Sequence, residues 1–172
     1  MNDQQLWNLG TVRLKCLLAE LSAGTMLELT QLLVRYRKAK ETLAAVVAGV
    51  DAEYLCRECA GQCCRNGKYR INVFDALARI SAEIPTAADF SQKPLCPYGT
   101  DTGCSMEPGL RPADCVLFIC DAIDRKLSQQ SRLELAAKEQ DLRECIRTAS
   151  CLADEQLGTP LLLWAANSNK SK

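Results

Sequence analysis

Cysteine clustering constrains this chain more than any other feature of its sequence. The 172 residues include eleven cysteines and no histidine. Eight of the cysteines fall within the 65 residues from position 56 to position 120, namely Cys56, Cys59, Cys63, Cys64, Cys96, Cys104, Cys115 and Cys120. Without histidine, the chain lacks the most common general base and the nitrogen ligand of mixed zinc sites. The sequence therefore predicts that sulfur atoms organise this part of the chain.

The thiols are predicted to bind metal rather than to pair as disulfides. Disulfides persist in oxidising compartments, and the first ten residues, Met1 to Gly10, have neither the basic nor the apolar region of a secretory signal. An odd number of cysteines also fits a disulfide framework poorly. No apolar run approaches the length of a membrane span. We therefore expect a cytoplasmic protein without a membrane segment.

The charge balance argues against a nucleic-acid partner. Lysine plus arginine and aspartate plus glutamate number 21 each, so the net charge is zero and no overall field attracts a polyanion. The basic stretch from Arg35 to Lys40 is interpreted as a solvated helix face rather than as a nucleic-acid site.

The length and composition predict one all-α domain spanning residues 1–172. Hydrophobic residues make up 48% of the chain, which is enough to bury a core. The expected parts are N-terminal helices (1–50), a cysteine-cluster metal-binding core (51–121), and a C-terminal helix with a tail (122–172). In this architecture, the helices pack around a loop-rich, metal-organised cysteine core.

Leucine spacing predicts two helices within the first fifty residues, with an interruption at Ser22 to Gly24. The second helix begins with a capping-box pattern from Thr25 to Glu28 and continues to Gly49. We expect these two helices to form a hairpin.

Helical periodicity is weaker in the cysteine-rich part of the chain and returns near its end. Between residues 56 and 120, only Asn72 to Glu83 is predicted to be helical, with Asn72 as the N-cap. A long helix is predicted from Ala122 to a stop at Gly158, and Leu161 to Trp164 is expected to dock on the body. The pairs expected to stabilise the outer face of the long helix are Glu134–Lys138 and Glu139–Arg143.

The densest motif is the run Cys56-x2-Cys59-x3-Cys63-Cys64. Neighbouring side chains point in different directions in regular backbone, so Cys63 and Cys64 are expected to serve two centres or different metals of one larger cluster. The run matches neither a zinc ribbon nor the bacterial ferredoxin pattern. Eight sulfurs would complete two four-sulfur sites, or one four-sulfur site with the remaining cysteines in structural roles.

The ordered set of cysteines resembles the YkgJ-type cysteine-cluster family, which is described as a zinc- or iron-chelating domain with eight cysteines. The resemblance covers residues 56–120. It lies in C-x2-C-x3-C-C at 56 to 64, Cys96-Pro-Tyr98, the lone Cys104, and Arg111-Pro-x-x-Cys115-x4-Cys120. The resemblance implies that all eight cysteines are metal ligands. A similar cluster in flagellin lysine methylases favours iron-sulfur over zinc, whereas the methylation activity of those much longer chains is not carried over.

Taken together, these features predict a metal-binding protein that holds an iron-sulfur cluster for electron transfer or as an accessory to a partner enzyme. The alternative is a structural zinc-binding adaptor without catalytic activity. Either function implies a protein partner. Nothing in the spacing of Asp101, Glu107 and Asp114 singles out a catalytic base, so no catalytic residue is assigned.

Several residues near the motifs have predicted supporting roles. Arg111 either pairs with Asp114 or a backbone carbonyl, or lies near the sulfurs and stabilises their thiolate form. Tyr98 and Phe118 are expected to shield the centre. The cysteines expected to be ordinary core residues, with a ligand role left open, are Cys16, Cys145 and Cys151.

Overall fold

Short polar side chains determine where the long helices begin. In each case the side-chain oxygen of the N-cap accepts a hydrogen bond from the amide three residues later, which satisfies a donor that has no partner within the helix. The four pairs are Asn2 with Gln5, Ser22 with Thr25, Asn72 with Asp75, and Ser128 with Ser131. Asn2 and Asn72 belong to complete capping boxes, in which the side chain of the third helical residue also accepts from the N-cap amide.

The computed structural model describes residues 1–58, 62, 65, 67–84, 88–91, 96–100 and 103–167. Its α-helices are α1 (Asp3–Glu20), α2 (Ala23–Ala48), α3 (Ala52–Glu58), α4 (Val73–Ser81), α5 (Ala113–Leu117), α6 (Asp121–Asp124), α7 (Gln129–Ala153) and α8 (Leu161–Asn167). Among the described residues, 3-10 helices cover Gly67–Tyr69 and Pro108–Leu110. The strands β1 (Gly99–Thr100) and β2 (Gly103–Cys104) form an antiparallel pair. Helices thus dominate the described residues, which confirms the all-α prediction.

The first two helices pack against the C-terminal end of the chain rather than against each other. The main partner of α1 is α8, and the main partner of α2 is α7. The predicted helical hairpin is therefore wrong. Gly10 explains the close approach of α1 and α8, because a Cβ atom at this position would lie 2.9 Å from the Cδ1 atom of Leu161.

Local capping changes the predicted bounds of two helices. Ser22 is the N-cap of α2, so the capping box predicted at Thr25 and Glu28 is wrong and α2 begins three residues earlier. The long helix predicted from Ala122 is divided, because α6 ends at Asp124 and the hydroxyl of Ser128 caps a new helix. That helix ends at Ala153, before the predicted stop at Gly158. The chain turns there because Asp154 adopts a left-handed conformation with φ of 48°.

Of the remaining local predictions, some are confirmed and others differ from the structure. The Asn72 cap is confirmed, but α4 ends at Ser81, before Glu83, which has φ of 56°. The Glu139–Arg143 ion pair is present, whereas Lys138 pairs with Asp141. The apolar piece that contains Leu161 and Trp164 is buried as predicted. Residues 168–172 of the predicted tail lie outside the described residues.

The central segment holds more helix than its sequence predicts. Besides α4, it contains the last residues of α3, both 3-10 helices and α5. These elements are three to seven residues long, which is too short for a periodic pattern to be recognised. Within the described part of the chain, no helix has both the length and the apolar character needed to cross a bilayer.

Candidate metal centre

Five of the eight predicted ligands lie in the described residues. Cys56 is in α3, Cys96 precedes β1, Cys104 is in β2, Cys115 is in α5, and Cys120 is the N-cap residue of α6. All five are partly buried. The other three predicted ligands, Cys59, Cys63 and Cys64, lie outside the described residues.

A tight turn brings Cys96 and Cys104 into one neighbourhood. The amide of Gly99 donates to the carbonyl of Cys96 at 2.9 Å, and Gly99 pairs with Cys104 across the two strands. Burial raises the pKa of the Cys104 thiol, and the charge of Cys96 raises it further. The backbone of this turn therefore holds the two sulfurs within electrostatic range of each other.

Cys115 joins these two thiols from a different element. Burial raises the pKa of Cys115 to about 12, and the charges of Cys104 and Cys96 act in the same direction. Cys115 therefore lies within electrostatic range of the other two thiols, and we call Cys96, Cys104 and Cys115 the three-thiol cluster. Its members come from three separate parts of the predicted ligand set.

The 3-10 helix Gly67–Tyr69 packs directly on this cluster. A Cβ atom on Gly67 would overlap Cβ of Cys96 and lie 3.2 Å from its Sγ. Since real Cβ atoms do not approach so closely, only glycine fits here without a shift of the cysteine. This contact places the 3-10 helix, which follows the first cysteine motif in the chain, against Cys96 in the second half of the predicted ligand set.

Cys56 and Cys120 lie on neighbouring elements. Helix α3 packs against both β2, which carries Cys104, and α6, which follows Cys120. Cys120 and Leu55 pack on a small apolar cluster formed by Ala52, Ile123 and Leu127. The helix that carries Cys56 therefore lies between the segments that carry two other predicted ligands.

Two arginines act to lower the pKa values of thiols in the three-thiol cluster. The Arg111 guanidinium lowers the pKa of Cys104 by charge and hydrogen bonding, and its Nε also donates to the carbonyl of Met106 at 3.1 Å. The predicted contact of Arg111 with a backbone carbonyl is thus confirmed, and its charge favours the thiolate form of Cys104. Arg70 acts in the same way on Cys115. These effects are smaller than burial, so both thiols keep raised pKa values.

Arg70 could not be predicted as a neighbour of the thiols, because no sequence motif includes it. Its guanidinium lies 4.8 Å from the ring centroid of Phe118. Phe118 is 48% exposed. Tyr98 is buried, and its ring lies beneath the guanidinium of Arg79. That these two rings shield the centre stays a prediction.

A buried ion pair supports the segment that carries Arg111 and Cys115. Lys40 Nζ lies 3.0 Å from Asp75 Oδ1, and the two side chains are 0% and 1% exposed. Burial lowers the pKa of Lys40, although the Asp75 carboxylate opposes this effect. The solvated face predicted for Arg35 to Lys40 is therefore wrong for Lys40, while Arg35 and Lys38 are exposed. The pairing joins residues 35 positions apart, which no local pattern reveals.

The three remaining cysteines divide by exposure. Cys145 is buried in the main core, as predicted. Cys16 and Cys151 are exposed, so their predicted core role is wrong. Of the carboxylates to which no catalytic role was assigned, Glu107 pairs with Arg37 at 3.3 Å, and Asp101 lies outside the described residues.

The donor chemistry of the described thiols fits a thiophilic metal, but they do not by themselves form a metal site. Cys104 and Cys115 are free thiols with cationic neighbours, and thiolate is a ligand for zinc and iron-sulfur centres. Within the described ranges, no group of three or more histidine, cysteine, aspartate or glutamate side chains is arranged to hold a metal ion.

Comparisons with known proteins give no match for this chain, whether with protein-family models, with curated proteins or with solved structures. The resemblance to the YkgJ-type family therefore stays a prediction. The geometry of the cysteines and their neighbours carries the functional argument.

Proposed function

We propose that this chain is a metal-binding cysteine-cluster protein that holds an iron-sulfur cluster, for electron transfer or as an accessory to a partner enzyme. The observation that supports the proposal is that Cys96, Cys104 and Cys115 lie within electrostatic range of one another, with Arg111 near Cys104 and Arg70 near Cys115. The proposed ligands are these three together with Cys56, Cys59, Cys63, Cys64 and Cys120.

The cationic neighbours of the thiols favour metal binding over a purely structural thiol core. Buried, neutral thiols pack as small apolar groups and have no need of cationic neighbours. Arg70 acts to lower the pKa of Cys115 and Arg111 that of Cys104, although burial keeps both pKa values raised. Because a metal ligand must be deprotonated, these arginines favour the charge state that coordination requires.

Burial and positive charge near the sulfurs favour an iron-sulfur cluster in particular. The reduction potential of such a cluster depends on donors to its sulfurs, on burial and on net charge. Burial is the largest influence on the pKa of Cys104 and of Cys115, and Arg111 and Arg70 add positive charge near them. With a bound cluster, the cluster would supply the electron chemistry, and the protein would supply orientation, shielding and these charges.

The packing of α3 favours a second candidate function. Because α3 lies against β2, Cys56 is close in the fold to the strand of Cys104. Four thiolates, for which Cys56, Cys96, Cys104 and Cys115 are candidates, would make a closed zinc site, and a closed site is structural. The protein would then be an adaptor whose helices bind a partner.

The test is a metal and sulfide analysis of the full chain purified without oxygen. We expect a brown protein with iron and acid-labile sulfide. A colourless protein with stoichiometric zinc would select the adaptor, and a protein without metal would overturn both proposals.

The metal content should fall when a proposed ligand is replaced, as in Cys63→Ser, Cys64→Ser and Cys115→Ser. The matched control Cys16→Ser should not change it.

A further inference from the structure

The segment from Arg111 to Cys115 is held by side chains that belong to other helices. Lys40 Nζ, from α2, donates to the carbonyl of Arg111 at 2.9 Å. Both carboxylate oxygens of Asp75, from α4, lie 3.3 Å from the amide of Ala113. The ion pair between Lys40 and Asp75 therefore contacts this segment at two backbone positions.

Asp75 replaces a cap that α5 lacks. Pro112 precedes α5 and supplies no side-chain hydrogen bond to its first turn. The amides at the start of a helix need an acceptor, and a carboxylate there is also favoured by the helix dipole. Because Asp75 accepts from the first residue of α5, it fixes the start of the helix in which Cys115 is the third residue.

The pair is itself fixed by further contacts. Tyr36 OH donates to Asp75 Oδ1 at 2.9 Å, and the amide of Asn72 donates to Asp75 Oδ2 at 3.3 Å. The ammonium of Lys40 also lies 4.2 Å from the ring centroid of Tyr36. The carboxylate and the ammonium thus have little freedom to move, and the backbone that they hold shares this restriction.

Burial of such a pair is a costly way to stabilise a fold. Apolar residues of similar volume often give equal or greater stability, so an ion pair in this position needs another explanation. Here the ion pair fixes the position of a backbone segment, since its contacts converge on the segment that carries both Arg111 and Cys115.

We propose that Lys40 and Asp75 are positioning residues for the metal centre, holding the Arg111–Cys115 segment so that its thiol and its guanidinium face the other sulfurs. This inference rests on the proposed function. It adds a requirement on α2 and α4, neither of which carries a proposed ligand.

The test replaces both charges at once, as Lys40→Met with Asp75→Leu. The apolar pair avoids an unpaired buried charge, so its stability should be at least that of the wild type. Affinity for Co²⁺, followed by the absorbance of cobalt-thiolate bonds, should nevertheless fall about 10-fold or more, as is common when partners of metal ligands are lost. The matched control is Arg13→Met with Glu155→Leu, which removes an ion pair of 2.8 Å between α1 and the chain after α7. This control should leave the Co²⁺ affinity unchanged.

A metal-free measurement separates this inference from the proposed function. In the reduced apoprotein, alkylation of Cys115 by iodoacetamide should be at least about 10-fold faster in the apolar double variant, because a loosened segment exposes its thiol. The exposed Cys16 serves as an internal reference for thiol reactivity. Faster alkylation of Cys115 would support the positioning role, even if the wild-type chain bound no metal. The absence of bound metal would contradict only the proposed function.

Two results would overturn the inference. One is a folded double variant in which both Co²⁺ affinity and Cys115 alkylation match the wild type. The other is fast amide exchange of Ala113 in the wild-type chain, since an amide held by Asp75 should exchange only through global unfolding. The second measurement decides the question even where the double variant does not fold.

Discussion

At the scale of single residues, the buried polar groups distinguish this fold from an ordinary helical core. Tyr36 is fully buried, and its hydroxyl donates to Asp75. Burial raises the pKa of Tyr36 well above its ordinary value of 10.0, and the negative charge of Asp75 acts in the same direction. The folded protein therefore holds the phenol proton more tightly than the unfolded chain does.

This pKa shift predicts a loss of stability in alkaline solution. Above pH 10.0, unfolded Tyr36 loses its proton while folded Tyr36 keeps it, so the folded state binds more protons and its stability falls as the pH rises. Tyr36→Phe should remove this contribution to the slope and cost about 2 kcal/mol near neutral pH, because a hydrogen bond to a carboxylate is lost. Urea unfolding at a series of pH values measures both effects.

The control for this prediction is Tyr54→Phe, because Tyr54 is 56% exposed. It should change stability by less than about 0.5 kcal/mol and leave the alkaline slope intact. An unchanged slope in Tyr36→Phe would contradict the prediction.

Gly67 gives a second prediction at this scale. Gly67→Ala places a methyl group against Cys96, so the cysteine or the 3-10 helix must shift. We expect a loss of about 1 to 3 kcal/mol from overpacking, together with weaker Co²⁺ binding. Gly24→Ala is the matched control, since the nearest atom to its Cβ would be Ser22 Oγ at 3.7 Å. If both variants bound Co²⁺ equally well, the contact between Gly67 and Cys96 would have no role in the site.

The element scale separates what the sequence predicts from what only the fold reveals. The Asn72 cap could be predicted because the residues that form it are neighbours in the chain. The packing of α1 on α8 could not, because it joins segments about 150 residues apart, for example through the hydrogen bond from Arg13 to the Trp164 carbonyl. The break between α6 and α7 was missed because Ile123 and Leu127 are both buried, which gives the same apolar pattern as a continuous helix.

Helix α8 is predicted to be essential to the fold, even though it has only seven residues. Leu161 is fully buried against α1, so Leu161→Ala should cost about 2 to 5 kcal/mol. Leu163→Ala in the same helix is the control, because Leu163 is 47% exposed and should contribute less than about 1 kcal/mol. Thermal unfolding of the two variants compares them directly, and similar losses would contradict the packing of α8 described above.

At the scale of the whole molecule, the cysteines connect parts of the chain that are far apart in sequence. The motif spacing predicted which residues are candidate ligands, and the structure places Cys115 within electrostatic range of Cys96 and Cys104. Arg111 could be predicted because it belongs to a cysteine motif. Arg70 and the Lys40–Asp75 pair could not, because each depends on a contact between separate elements. The sequence thus identifies candidate ligands better than it identifies the residues around them.

Metal removal should destabilise the protein as a whole. A metal present at about 1,000 times its dissociation constant contributes about 4 kcal/mol to folding. For a chain of this size, chelation should therefore lower the Tm by about 8 to 16 °C. Cys104→Ser should show a low Tm that a chelator does not change further. A wild-type Tm that is insensitive to chelation would contradict the link between metal and folding.

The central claim is that cysteine thiolates from separate parts of the chain bind one metal centre. X-ray absorption spectroscopy of the full chain, purified without oxygen, tests this claim most directly because it identifies the atoms bound to the metal. We predict an iron edge with a first shell of sulfur alone and iron neighbours beyond it, whereas zinc with a sulfur shell would keep the thiolate centre and select the adaptor. A first shell dominated by oxygen or nitrogen, or a chain without bound metal, would contradict the account.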